Sequence, residues 1–461
     1  MALKQVAARQ ALQQAGCEII ETSLCEIPNG WMAIVNTAEG KRLATAIKGE
    51  NPLRRRQAVL SQSFKGVDVE LMELNAVNAA EVRHTVKWTS PIPCGVKGTS
   101  VGFCDYLQLG AGFLAPFFAK KQLRPVLVDI SPEVSAAWGF GLLEAMNAVT
   151  WSIAEQGARE GFGASAAELQ IDPKAFAGFN FEEDIYKALG GGYKTIGLSC
   201  ADKVDCSLEQ LTDEQVEKRF EELNEVFRAA LDASYLKVEF QVGSSKLSFQ
   251  PAGLHRIVLE YGEAIMHIQN VYNTFLKSAP WEIDFEIAMS VPGKCLTPQE
   301  HYFLANEMQR NGIKLAAVCV DAVNEGVAFT EELQQHADIA DTFGYRLSIK
   351  NADIALEDLA KVMKATKGKV HFKANNLLWL SAVQYIAESN ADLYTAMLQS
   401  LGLDATAVKD GDYTAFAAGY GKMLQANVEL GTNIRSYIQA NKDKYVEVVQ
   451  QNLQKTIINR L

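Results

Sequence analysis

Between Ile283 and Asn376 four short apolar runs, IDFEIAMS (283–290), IKLAAVCVD (313–321), YRLSIKN (345–351) and VHFKAN (370–375), each reach polar residues at or near their ends. They alternate with TPQEHYFLANEMQRNG, FTEELQQHADIADTFG and IALEDLAKVMKATKG. Apolar residues recur in those segments at three and four, and each closes on a glycine, which takes the left-handed turn at a helix end. Strands joined through helices run parallel, so a parallel sheet is predicted with its polar strand ends gathered on one face.

Four earlier strands continue the rhythm: GTSVGFCD (98–105), RPVLVDIS (124–131), a short run at 163–167 and KTIGLSCAD (194–202). Eight parallel strands with intervening helices close into a (β/α)8 barrel of the TIM type, an α/β fold whose functional residues stand at the carboxyl ends of the strands. In this reading 1–96 form a small N-terminal α/β subdomain, 97–395 the barrel and 396–461 a C-terminal helical extension. An insertion after the fourth strand, 206–280, holds an acidic helix capped by Thr212, a hairpin about Gly243 and a long helix. A loop insertion on this side falls on the active face, as a lid or as an oligomer contact.

With a formal net charge of -11 and a pI near 5.3, the chain lacks the Lys and Arg surplus that nucleic acid or an anionic membrane requires. No apolar run is long enough to span a bilayer and none resembles a signal peptide, so a cytoplasmic protein is expected. The eight cysteines show no CxxC pair, and Cys104, Cys200 and Cys319 lie in apolar runs as buried free thiols would.

The strand ends supply candidate site residues. Glu286 is a carboxylate flanked by apolar residues in IDFEIAM, a setting that suits a general acid or base; the alternative is a Glu paired with a Lys. Lys350 and Lys373 end the seventh and eighth strands, where a lysine binds a carboxylate, forms a Schiff base with a ketone, or merely makes a salt bridge. Asn351, Asn375, Asn376 and Asp202 are the remaining substrate-binding candidates, with Asp129, Glu168, Ser199, Ser290 and Asp321 also at strand ends. His371 opens the last strand and is expected to point into the barrel interior, while His301 and His336 read as structural. No HxH, HxxxH or HExxH pair exists, so the sequence carries no specific metal signal.

Taken together, TSVGFCDYLQLGA, TWSIAEQGAREGFGASAAEL, LTPQEHYFLANEMQRNGIKLAAV, LQQHADIADTFGYRLSIKNAD and GKVHFKANNLLWLSAVQYIA resemble the tagaturonate epimerases of bacterial hexuronate catabolism over roughly 98–392. The resemblance implies a barrel enzyme that interconverts tagaturonate and fructuronate with a divalent metal. It carries over position by position to Asp105, Glu286 and Lys373, which adds Asp105 to Glu286 and Lys350 as the catalytic candidates. The metal does not carry over. Ser165, Ala166, Ala167 and Glu168 follow EGFGA where the family has acidic residues and a histidine, Lys350 stands where it has another histidine, and Val291 to Cys295 replace an acidic cluster. The expectation is a sugar-acid epimerase or isomerase acting on a hexuronate-derived keto acid, with no assigned cofactor and with a homo-oligomer left open. A lysine-dependent keto-acid lyase or aldolase and a non-catalytic sugar-acid-binding protein are the alternatives.

Overall fold

The computed structural model describes residues 3–119, 121–132, 139–171, 184–289, 291, 294–356, 358–404, 408, 411–417 and 427–461. Six N-terminal strands, β1 (Glu18–Ile19), β2 (Cys25–Ile27), β3 (Gly30–Thr37), β4 (Gly40–Ile47), β5 (Ala58–Phe64) and β6 (Val67–Met72), form an antiparallel sheet in the order β1-β3-β4-β6-β5, with β2 also on β3. Alternation in β3 and β4 gives the sheet two apolar faces. One face, with Val35, Ala44, Ala46 and Leu71, receives Ala8, Ala11 and Leu12 of the helix Gln5–Gln14. The other, with Met32, Ile34 and Leu43, packs with Val82 and with Ala154 of the helix Leu142–Gln156. The subdomain is thereby seated on the barrel wall, fixed at its rim by the Thr22 hydroxyl donating to the Glu155 carbonyl at 2.5 Å.

The barrel is closed. Its strands are β7 (Thr99–Phe103), β8 (Leu123–Ile130), β9 (Gly163–Leu169), β10 (Thr195–Ser199), β13 (Asp284–Ala288), β14 (Ala317–Asp321), β15 (Arg346–Lys350) and β16 (Val370–Ala374). They pair in parallel in chain order, and β16 returns to β7. All eight strands of the sequence reading are present, including the short third one. Between β10 and β13 lie the helices Asp213–Glu221 and Glu225–Tyr235, the hairpin β11 (Phe240–Val242) and β12 (Ser245–Leu247), and the helix Pro251–Val271. Thr212 caps the first of these, as its position predicts, with its side chain accepting from the Gln215 amide. The C-terminal helix Lys442–Thr456 packs on the helix Leu377–Ser389, and the helix Ala391–Leu401 runs through 395, where the barrel was expected to end.

Two devices shape the barrel ends. At the amino-terminal end a carboxylate oxygen of Asp284 accepts from the backbone amides of Cys94 (2.7 Å) and Gly95 (2.8 Å), so the segment entering β7 is tied beneath the lumen. At the opposite end the β9–β10 register shifts between Ile196 and Leu198, and Glu168 takes a left-handed φ of 52°. A bulge re-aims side chains and bends its strand, and here it lies one residue before the end of β9. Among the described residues no helix is long and apolar enough to cross a membrane.

Candidate active site

The barrel strands alternate. Leu347 and Ile349 of β15 and Phe372 of β16 belong to the apolar core, while Arg346, Ser348 and Lys350, and His371 and Lys373, occupy the intervening positions. Strand periodicity sends these polar residues to the other face of the sheet, into the lumen. There they meet partners from strands on the far side, and the lumen holds charge where an ordinary barrel holds Val, Ile and Leu.

Lys373 lies at the centre. Its ammonium donates to Glu286 Oε1 of β13 at 2.6 Å and stands 3.7 Å from Asp129 Oδ1 of β8, with all three side chains buried. Below it runs a directional chain. An Arg346 N–H donates to Ser100 Oγ at 2.9 Å, Ser100 Oγ lies 2.8 Å from His371 Nδ1, and His371 Nε2 lies 3.1 Å from Asp129 Oδ2. Because Asp129 can only accept when ionised, the Nε2 proton is assigned to that bond, leaving Nδ1 to accept from the serine hydroxyl. Gly102 of β7 makes this packing feasible: a Cβ there would collide with the Asp129 carboxylate and approach His371 Cε1 to 2.9 Å.

Burial pushes the Asp129 carboxyl up, but the Lys373 ammonium and the His371 hydrogen bond outweigh it and hold the group at about 2. Burial pulls Lys373 down, and the Asp129 and Glu286 carboxylates more than compensate, raising it well above the ordinary lysine value. Burial lowers His371, opposed by its bond to Asp129, so the imidazole is neutral. Lys373 is thus held as an ammonium, with an ionised Asp129 beside it.

Nearer solvent, Lys350 Nζ reaches across the mouth to Glu168 Oε2 at 2.8 Å, both side chains part-exposed. Burial lowers Lys350, and the charge of Glu168 overcomes it and raises the group. Beside it Asn351, itself at a left-handed φ of 56°, donates from Nδ2 to Asp321 Oδ1 at 3.0 Å and from its amide to Asn375 Oδ1 at 3.4 Å. Asn376 Nδ2 donates to Asn351 Oδ1 at 3.2 Å, and its amide donates to Asp353 at 3.0 Å. The structure thus brings Glu286, Lys373, Lys350, Asn351, Asn375 and Asn376 to one end of the barrel.

Two sequence candidates lie elsewhere. Asp105 turns back into its own loop, where Oδ2 accepts from the Gly110 amide at 2.7 Å and the neighbouring cation is Lys442 of the C-terminal helix. β7 ends at Phe103, two residues before Asp105, and the loop, not the lumen, captures its carboxylate. Asp202 is exposed on a short 3-10 turn and pairs with its neighbour Lys203 at 3.0 Å. Ser290 lies outside the described residues. His371 points into the interior as its place at the start of β16 predicts. What sequence reasoning left out of the site is its connection through Asp129, Ser100 and Arg346, although the alternation in RLSIK and VHFK is a readable sign that β15 and β16 turn polar residues inward.

A divalent metal does not suit these residues. Among the described residues no three His, Cys, Asp or Glu side chains gather to hold one. The lumen and mouth carboxylates of Glu286, Asp129 and Glu168 instead face lysine ammonium groups.

A closed eight-stranded parallel barrel with helices around it is a TIM-type α/β barrel, here with carboxylates and lysines gathered in its lumen and mouth. Its family follows from the sequence: residues 20–417 match the model of the tagaturonate epimerases, and the chain belongs to that family. It is similar to the tagaturonate/fructuronate epimerase of Thermotoga maritima, 25% identical over 390 residues that cover 82% of this chain and 78% of the relative. The crystal structure of fructuronate-tagaturonate epimerase UxaE from Cohnella laeviribosi superposes with a TM-score of 0.85 at 23% identity, covering 97% of each chain. A two-glycerol complex of that protein gives 0.85 over 99% of each chain, a likeness of fold.

Proposed function

We propose that this chain is a sugar-acid epimerase that interconverts tagaturonate and fructuronate at the carboxyl end of its barrel. Membership of the epimerase family supplies the reaction class, and the observation that carries the reading to this site is the buried Lys373–Glu286 pair at 2.6 Å. The two keto acids differ at one carbinol carbon, one bond beyond the carbon next to the ketone. Its C–H is therefore not acidified by the carbonyl, and removing a proton beside the ketone does not reach it. Opening and re-forming the adjacent carbon–carbon bond does. The Glu286 carboxylate takes the carbinol hydroxyl proton, the bond electrons pass to the carbon beside the ketone, and the Lys373 ammonium stabilises the resulting enediolate. The aldehyde fragment turns, the bond re-forms on its other face, and Glu286 returns the proton. Lys350, with Asn351 and Asn375 beside it, receives the substrate carboxylate at the mouth, where Glu168 holds the ammonium until substrate arrives.

Glu286→Gln tests the assignment. It keeps the shape and removes the base, so kcat is expected to fall by roughly 10²–10⁴ with KM within a few-fold. A folded variant with undiminished turnover removes Glu286 from the chemistry.

A further inference from the structure

We infer that the Lys373 ammonium is itself the fixed cation of this site, standing where a divalent ion would otherwise stabilise the oxyanion, and that the chain holds no resident divalent metal. The catalytic consequence rests on the epimerase reading; the binding claim does not. A divalent ion needs several deprotonated ligands with free lone pairs converging on one point. In this lumen an ammonium already stands between the carboxylates: Asp129 Oδ1, which accepts no hydrogen bond among the described residues, is matched by the Lys373 charge alone. Glu286 Oε1 accepts from Lys373 at 2.6 Å, and Asp129 has Lys373 at 3.7 Å on one oxygen and His371 Nε2 at 3.1 Å on the other. His371 turns its Nδ1 to Ser100, so neither ring nitrogen is directed at an open position. At the mouth Glu168 is engaged by Lys350 in the same way.

The arrangement is also one that keeps the cation in place. Lys373 is fully buried, and an ammonium taken from water without carboxylates on it would lose its proton. Glu286 and Asp129 come from strands on different sides of the lumen, so the charge cannot leave without exposing two uncompensated buried carboxylates. A cation so held is preorganised for a developing oxyanion, and, being protonated, it is not a nucleophile for a Schiff base.

Metal content and thermal stability of the full chain test this. After incubation with manganese, zinc or nickel and dialysis, the wild-type chain is expected to retain a negligible fraction of one ion and to show no shift in thermal midpoint. Lys373→Met leaves Glu286 and Asp129 facing each other beside His371, and the same ions are expected to stabilise it by several degrees. Lys350→His, at the part-exposed mouth, guards against failure of that variant to fold: its imidazole beside Glu168 is expected to gain metal-dependent stabilisation that the wild type lacks. One tightly held ion per wild-type chain, lost in Glu286→Gln, overturns the inference, as does a borohydride-trapped adduct on Lys373. Turnover that appears only when metal is supplied also overturns it while leaving the epimerase reading in place. A metal-free chain that converts neither epimer overturns the epimerase reading and leaves the binding claim standing.

Discussion

Buried titratable side chains in this molecule fall into two kinds, those balanced by opposite charge and those kept neutral. His336 is of the second kind. It lies fully buried with Nδ1 3.0 Å from His301 Nδ1, while Tyr345 OH sits 2.7 Å from His301 Nε2 and Glu332 3.9 Å from His336. Burial lowers His336 from 6.5 to about 4, and burial together with His336 lowers His301 further. The unfolded chain then binds a proton that the folded one refuses, so the stability is complete above pH 6.5 and is lost as pH falls from there towards 4. For His336 alone the loss is roughly 2 kcal/mol by pH 5. His336→Gln is expected to flatten the fall in thermal midpoint between pH 7 and 5; an unchanged slope would show that this imidazole already titrates normally. At the same scale Glu286 was readable as an apolar-flanked carboxylate, and so was its alternative, a Glu paired with a Lys. The structure shows the pairing, with Lys373 at 2.6 Å on another strand of the closed barrel, a neighbour that spacing along the chain does not express. Asp105 shows the converse: residue type and strand position were right for the mouth, and a local loop amide took the side chain.

At the level of elements one lysine clasps the insertion to the barrel, alongside the Tyr235 hydroxyl that donates to Glu307 at 2.6 Å. Lys294, in the loop after β13, pairs with Glu260 of the helix Pro251–Val271, with Glu300 at 3.0 Å and with Glu209 at 3.4 Å. Three carboxylates from three segments meet on a single ammonium, so the clasp joins the insertion, the β13 loop and the start of the helix Pro298–Arg310. Lys294→Met removes it, and amide exchange in Pro251–Val271 is expected to accelerate by at least about tenfold, the consequence of losing roughly 1.4 kcal/mol of local stability. Unchanged exchange would mean that the remaining contacts, among them Tyr235 to Glu307, seat the insertion without the clasp. The helices and barrel strands were legible because their apolar periods are long and end on glycine or capping residues, as at Thr297, whose side chain accepts from the Glu300 amide. The N-terminal strands were less so. β5 has nearly all of its residues exposed, and β6 alternates only briefly, so neither shows the half-buried pattern that marks a strand from sequence. Nor does sequence reveal the bulge that lifts Glu168 into a left-handed conformation, since a glutamate at such a φ is held there only by the packing around it.

For the molecule as a whole, the ring of eight parallel strands turns residues scattered from Ser100 to Lys373 into one buried charged column, with Asp284 tied to the chain beneath it and Lys350 and Glu168 at its mouth. Ring closure was legible in the repeat, and family in the motifs that resemble the epimerases. The column was not, because it depends on the inward or outward register of every strand at once. The most direct test of the account is to incubate purified chain with tagaturonate and follow the carbon resonances of both keto acids. Fructuronate is expected to form, with the same final ratio reached from either epimer and, in heavy water, no deuterium at the inverted carbon. Tagaturonate left unchanged at stoichiometric protein, with or without added divalent metal, would contradict it.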